Sequence, residues 1–155
     1  MKNILAIIGI FIAIRILTAY LFPAMSANTK KLTLDDIVEI SKTGKLNDRE
    51  MVILDVRGPG EFEGGHLKNA HNVPVQGLGL ALQMPADEFK EKYHFELPAK
   101  DSKTGIAVHC MSGKRAEMAA KLLGDAQYTD NLFVYSPGWS ELSGSSAAAA
   151  QLVKP

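Results

Sequence analysis

Residues 32–142 predict an α/β domain with a central parallel β-sheet flanked by helices. Three observations carry that reading. Met51-Val52-Ile53-Leu54, Ile106 to His109 and Leu132-Phe133-Val134-Tyr135 are unbroken β-prone runs, the pattern of strands buried on both faces. Segments of helical character separate them. Asp55 and Cys110 each stand at the end of such a run, where open α/β sheets gather their reactive loops into one crevice.

The elements follow in order. Ala27 to Lys31 reads as a polar linker. Thr33-Leu34-Asp35-Asp36 is a helix start, with Thr33 as cap and two carboxylates in the first turn. Leu34, Ile37, Val38 and Ile40 form its apolar side. Thr43 to Glu50 is a polar turn before the first strand. A glycine-bearing loop runs from Asp55 to Gly65, with a short helical piece around Glu61 and Phe62. Ala70 to Val75 carries a short strand that ends near Pro74. Asp87 to Tyr93 is a helix in which Phe89 and Tyr93, one turn apart, share a face. Ala116 to Leu123 is built of strong helix formers. Pro137-Gly138-Trp139 ends the last strand, and Ser140 to Leu142 suits a short helical turn. Residues 143–155 form a Ser/Ala-rich tail expected to be flexible.

The N-terminus is a separate object. Ile4 to Ile14 carries no charge in eleven residues, and Arg15 interrupts before the apolar character resumes up to Phe22. Residues 1–26 fit a signal peptide or signal anchor, with Ala24-Met25-Ser26 as a small-x-small cleavage site. Export or membrane anchoring through residues 4–22 is the expectation. Arg15 near the centre of a span would cost roughly 2.5–3.5 kcal/mol on insertion scales. A mitochondrial presequence is the alternative, opposed by the single Arg and the scarcity of Ser.

Composition excludes several classes. The 155 residues hold 17 basic and 17 acidic side chains, with no basic stripe that nucleic acid would require. A single cysteine permits no internal disulfide, and the histidines show no metal-ligand spacing. Nothing calls for a cofactor. A monomer is expected.

The lone cysteine lies in His109-Cys110-Met111-Ser112-Gly113-Lys114-Arg115, between a strand and a helix. A free cysteine is often no more than a small buried hydrophobe. The flanking Ser, Gly, Lys and Arg point instead to reactivity. Backbone N–H groups converge at such a turn and favour a thiolate, and two cations add to the effect. Lys114 and Arg115 are candidates for holding an anion, Lys as a point charge and Arg as a planar fork. Alternation along an extended strand turns His109 away from Cys110.

Four motifs in register resemble the rhodanese family. Asp55-Val56-Arg57, Glu61-Phe62, Gly65-His66-Leu67 and Ala70-His71-Asn72-Val73-Pro74 are similar to its N-terminal signature. The Cys110 loop is similar to its six-residue active loop, and Gly138-Trp139 to its C-terminal motif. Phe89 to Pro98 resembles the helix and turn before the catalytic strand of single-domain thiosulfate sulfurtransferases. The resemblance covers about Leu32 to Leu142.

It implies transfer of a sulfane sulfur through a persulfide on Cys110, from a small anionic donor such as thiosulfate to a thiol or cyanide acceptor. Met111, Ser112, Gly113, Lys114, Arg115 and Arg57 are expected to bind substrate. Asp55, Glu61 and His66 are expected to support the site. Lys114 suggests an inorganic anionic donor. Departures from the family are Met111, where Arg is frequent, Pro137 in place of a glycine, and Asn69 in place of a glycine. Asn tolerates the left-handed conformation that the last position implies. Two other functions compete. One is a partner-binding module without catalysis. The other is a cysteine phosphatase or arsenate reductase, to which His109-Cys110 and Arg115 are similar. Four residues separate Cys110 from Arg115, one fewer than in a phosphatase loop, so the cradle suits a single sulfur better than a phosphate.

Overall fold

A computed structural model describes residues 28–155. The expectations for residues 1–26 lie outside the described residues. Among the latter, no helix is long and apolar enough to cross a membrane.

The chain enters through β1 (Lys30–Lys31), followed by α1 (Leu34–Thr43), β2 (Lys45–Leu46) and β3 (Arg49–Asp55). Next come α2 (Pro59–Glu63), β4 (His66–Leu67), β5 (Ala70–Asn72), α3 (Val75–Ala81) and α4 (Ala86–Tyr93). The second half holds β6 (Gly105–His109), α5 (Lys114–Asp125), β7 (Leu132–Tyr135) and α6 (Gly138–Leu142). A 3-10 turn (Ala149–Gln151) leads into β8 (Leu152–Val153). The main sheet runs β1-β7-β6-β3-β2, with β5 also on β3. All its pairings are parallel except β2 on β3, which is antiparallel.

The register decides what reaches the crevice. Asp55 pairs with His109, and His109 with Tyr135, so the three lie in one row at the carboxyl ends of β3, β6 and β7. Alternation assigns that row to the face of Ile53, Ala107 and Phe133, packed on Ile37, Ile40 and Leu142 of α1 and α6. The opposite face carries Leu54, Val108 and Val134, and Cys110 belongs to it, packed with Leu78, Phe89, Ala116 and Leu123 of α3 to α5. Both sheet faces are therefore covered, as a parallel sheet demands.

Local chemistry accounts for the element ends. The Thr33 hydroxyl accepts from Asp36 N at 3.3 Å, and the Thr33 N–H donates to the Asp36 carboxylate at 2.8 Å. This reciprocal cap starts α1, and Gly44 at φ 72° stops it. Asn69 takes the left-handed conformation, φ 61°, and its amide donates to Ser41 O at 3.0 Å.

Four segments differ from the sequence reading. Residues 30–31 of the expected linker pair with Phe133 and Val134 as an edge strand. The polar turn at 43–50 contains a hairpin, made by left-handed Asn47 and Asp48. Helix α3 went unread because Gly77 and Gly79 lower its propensity. Its buried residues, Val75, Leu78 and Ala81, nonetheless recur every three positions. The Ser/Ala tail was expected to be flexible, but its end docks. Ala148 is fully buried, Lys68 N donates to Gln151 O at 2.8 Å, and β8 pairs with β4. Small side chains let this backbone approach closely, which composition alone does not reveal.

Removal of residues 146–155 is therefore expected to lower Tm by about 4–8 °C, roughly the loss of two modest contacts in a chain of this size. An unchanged calorimetric Tm would mean that the tail contributes nothing to stability.

Candidate active site

Strand β6 delivers Cys110 to the mouth of the crevice, and α5 begins four residues later. The Cys110 side chain is recessed, at 1% exposure, and the Gly113 N–H points at its Sγ from 3.1 Å. Gly113 holds φ 95°, and a Cβ there would lie 2.8 Å from the Ser136 carbonyl. Only glycine allows the chain to turn in so little space.

The loop is held from behind by its carbonyls. Trp139 N donates to Cys110 O at 2.8 Å. Ser140 donates to Met111 O twice, from N at 3.0 Å and from Oγ at 2.8 Å. Gly138, at φ 67°, lets α6 come this close, since a Cβ would run into the Cys110 and Met111 carbonyl oxygens. With the carbonyls occupied, the loop's N–H groups are left over. Among the described residues, those of Met111, Ser112, Lys114, Arg115 and Ala116 donate to no protein acceptor, and the first helical bond is Glu117 N to Gly113 O. These donors and the positive end of a twelve-residue helix belong to the loop that carries Sγ. Lys114 is exposed and has no acidic partner among the described residues.

Two expected substrate ligands are otherwise engaged. Arg57 does not project as a free cation. It is 1% exposed, and its guanidinium grips Asp55 at 2.6–3.0 Å and donates to Gly65 O at 2.8 Å. Its outer face lies over the Trp139 ring, 4.5 Å from the centroid. A buried guanidinium needs a carboxylate, and the neighbouring Asp55 supplies it. Arg115, half-exposed, makes a forked pair with Glu61 at 2.6 and 2.8 Å. That pair ties α5 to α2 and restrains the fork that the sequence assigned to an anion. The Arg115 hydrogen bond, opposed by partial burial and helped by the Gly58 N–H, lowers the Glu61 pKa from 4.5 to about 2.

The remaining support residues also find their places. His66 stacks on Phe62 at 3.8 Å, with Nδ1 2.9 Å from Phe62 O. Asn72 donates to both Asp55 O and Arg57 O at 2.9 Å, a role the sequence reading missed. The backbone clamps of Trp139 and Ser140 were missed as well. Pro137-Gly138-Trp139 was their only signal, and it showed a motif without its bonds. No cluster of metal-ligating side chains occurs among the described residues.

Fold and loop together set a recessed cysteine at the carboxyl edge of a parallel sheet. Residues 41–145 match the Rhodanese-like domain family, and the chain belongs to it. A putative mitochondrial thiosulfate sulfurtransferase of Schizosaccharomyces pombe is 29% identical over 120 residues, 76% of this chain and 82% of that protein. A thiosulfate:glutathione sulfurtransferase of Saccharomyces cerevisiae is 29% identical over 104 residues, 67% of this chain and 71% of the relative. The crystal structure of the single-domain sulfurtransferase RDL2 of Saccharomyces cerevisiae superposes with TM-score 0.69 at 27% identity, covering 84% of this chain and 98% of that one. The chain is an enzyme of the single-domain sulfurtransferase type.

Two predictions follow from the side chains. Arg57→Ala leaves the Asp55 carboxylate buried without its counter-charge and is expected to cost about 3–5 kcal/mol in urea unfolding. Glu61 has a lower pKa folded than unfolded, so its link to Arg115 is fully present above about pH 4.5. It is lost as pH falls toward about 2. Stability of Glu61→Gln should therefore fall less steeply than that of the wild type across that window. Parallel slopes in urea midpoints would show that the link carries no stability.

Proposed function

We propose that the protein moves a sulfane sulfur from thiosulfate, or a similar small anion, to a thiophilic acceptor through a persulfide on Cys110. The observation that carries this reading is the loop itself. A recessed Sγ receives one N–H, and the same loop holds five further N–H groups and a lysine without a protein partner among the described residues. That arrangement suits an anion one sulfur atom longer than the thiolate.

The steps balance as follows. The Cys110 thiolate attacks the outer sulfur of thiosulfate. The new S–S bond forms as the old one breaks, and sulfite leaves with the electron pair. An acceptor nucleophile then attacks the outer sulfur of the persulfide and returns the Cys110 thiolate. The loop N–H groups hold negative charge throughout, which is electrostatic stabilisation by prearranged dipoles. Lys114 attracts the donor oxyanion. The names of the relatives support thiosulfate as donor, and that of the budding-yeast relative supports a thiol acceptor of the glutathione kind. Four residues between Cys110 and Arg115, with Arg115 tied to Glu61, disfavour a phosphatase cradle. Retention of Cys110 and Lys114 disfavours a purely partner-binding module. The name of the fission-yeast relative supports a mitochondrial destination for residues 1–26 over export.

Incubation with thiosulfate is expected to add about 32 Da, one sulfur, to the wild type and nothing to Cys110→Ala, with cyanide removing the adduct. Intact-mass spectrometry reads this directly. A wild type that gains no mass would sink the proposal.

A further inference from the structure

His109 is fully buried, yet its Nε2 has no hydrogen-bond partner. The Asp55 carboxylate faces it, with Oδ2 at 3.6 Å. The other ring nitrogen, Nδ1, lies 3.4 Å from the carbonyl oxygen of Cys110. Both neighbours are acceptors. A neutral imidazole owns one N–H, so in either tautomer one lone pair faces another. Only the imidazolium provides a donor to each side.

The surroundings pull on the ring in both directions, with burial the largest influence. Loss of hydration pushes the His109 pKa down from its ordinary value, and the Arg57 cation adds to that, while Asp55 and the Cys110 carbonyl oppose it. Asp55 and Arg57 face His109 from β3 and the loop after it. Tyr135, its register partner on β7, bonds through its hydroxyl to Glu141 of α6. Cys110 is next in the chain, on the other face of the sheet. One more negative charge nearby favours the imidazolium, and a thiolate or persulfide anion at Cys110 supplies one.

We propose that His109 is a positioning residue that gains a proton when Cys110 carries negative charge, its imidazolium then donating from Nδ1 to the Cys110 carbonyl and from Nε2 to Asp55. The proton comes from solvent onto the free ring lone pair, and goes back to solvent when the charge at Cys110 is lost. No bond to sulfur changes. Because the ring and Sγ lie on opposite faces, the coupling acts through the field and the shared carbonyl, not by proton transfer between them. The proposal rests on the sulfur-transfer reading only where the persulfide supplies the charge. The thiolate alone is sufficient.

The test is an NMR titration of 15N-labelled histidine in the full chain, with the His109 signals assigned by their loss in His109→Gln. Cys110→Asp places a permanent charge at the position and Cys110→Ser places none. The His109 midpoint is expected to lie about one pH unit higher in the Asp variant. Equal midpoints, or a His109 that stays neutral in both variants, would overturn the proposal. If Cys110→Asp does not fold, wild type alkylated by iodoacetate and by iodoacetamide supplies the same contrast of charged against neutral. Addition of thiosulfate to the wild type separates the two readings. A matching rise supports the persulfide as the source of charge. Intact mass of the same sample reports loading: a wild type that gains no sulfur, with the Asp-variant shift intact, removes thiosulfate as the donor and leaves the His109 coupling standing.

Discussion

The buried pair of Asp55 and Arg57 is the constraint around which the site is arranged. Two charges out of water are costly, and they persist only where every polar atom is met. Asp55 accepts from the Arg57 backbone and from two guanidinium nitrogens, and Arg57 reaches on to the Gly65 carbonyl. The pair therefore fixes the path from β3 to β4. Its guanidinium supplies the surface on which Trp139 lies, and Gly65 leaves room for that ring, since a Cβ there would stand 2.9 Å from it. Trp139 in turn holds the Cys110 carbonyl. A charge pair on β3 thus sets the backbone of a loop on β6 through an indole on α6.

This chain of contacts explains why the loop presents donors and not acceptors. Six-residue turns have no intrinsic preference for one peptide orientation. Here the Cys110 and Met111 carbonyls are occupied by Trp139 and Ser140, and glycine at 113 and 138 permits the approach. The N–H groups point elsewhere as a geometric consequence. The dipole of α5 acts on the same region, and the Arg115–Glu61 pair anchors that helix end.

Much of this was legible in the chain. The strands at 51–54, 106–109 and 132–135 were readable because burial on both faces leaves continuous apolar runs. Cys110 was readable because its neighbours combine a glycine with two cations. The depth of Arg57 was not legible, because a sequence shows charge but not depth: Arg57 and Lys114 look equally available, and only packing separates the buried one from the exposed one. The α3 helix was hidden by its two glycines, and the docked tail by its bland composition. The carbonyl clamps were beyond reach, because backbone bonds between residues 139–140 and 110–111 leave no trace in side-chain identity.

The recess of Cys110 has a consequence for oxidative chemistry. A disulfide between two copies requires Cα atoms within about 4.4–6.8 Å, which two thiols sunk behind their own loops do not reach unless both loops open. The resting protein is thus protected from cross-linking itself, although its one thiol has no internal partner. A second sulfur bonded to the first stands about 2 Å farther out. On the proposed persulfide the reactive sulfur would stand that distance beyond the recessed Sγ, so a large acceptor would have less depth to cross than it would to reach the thiol itself.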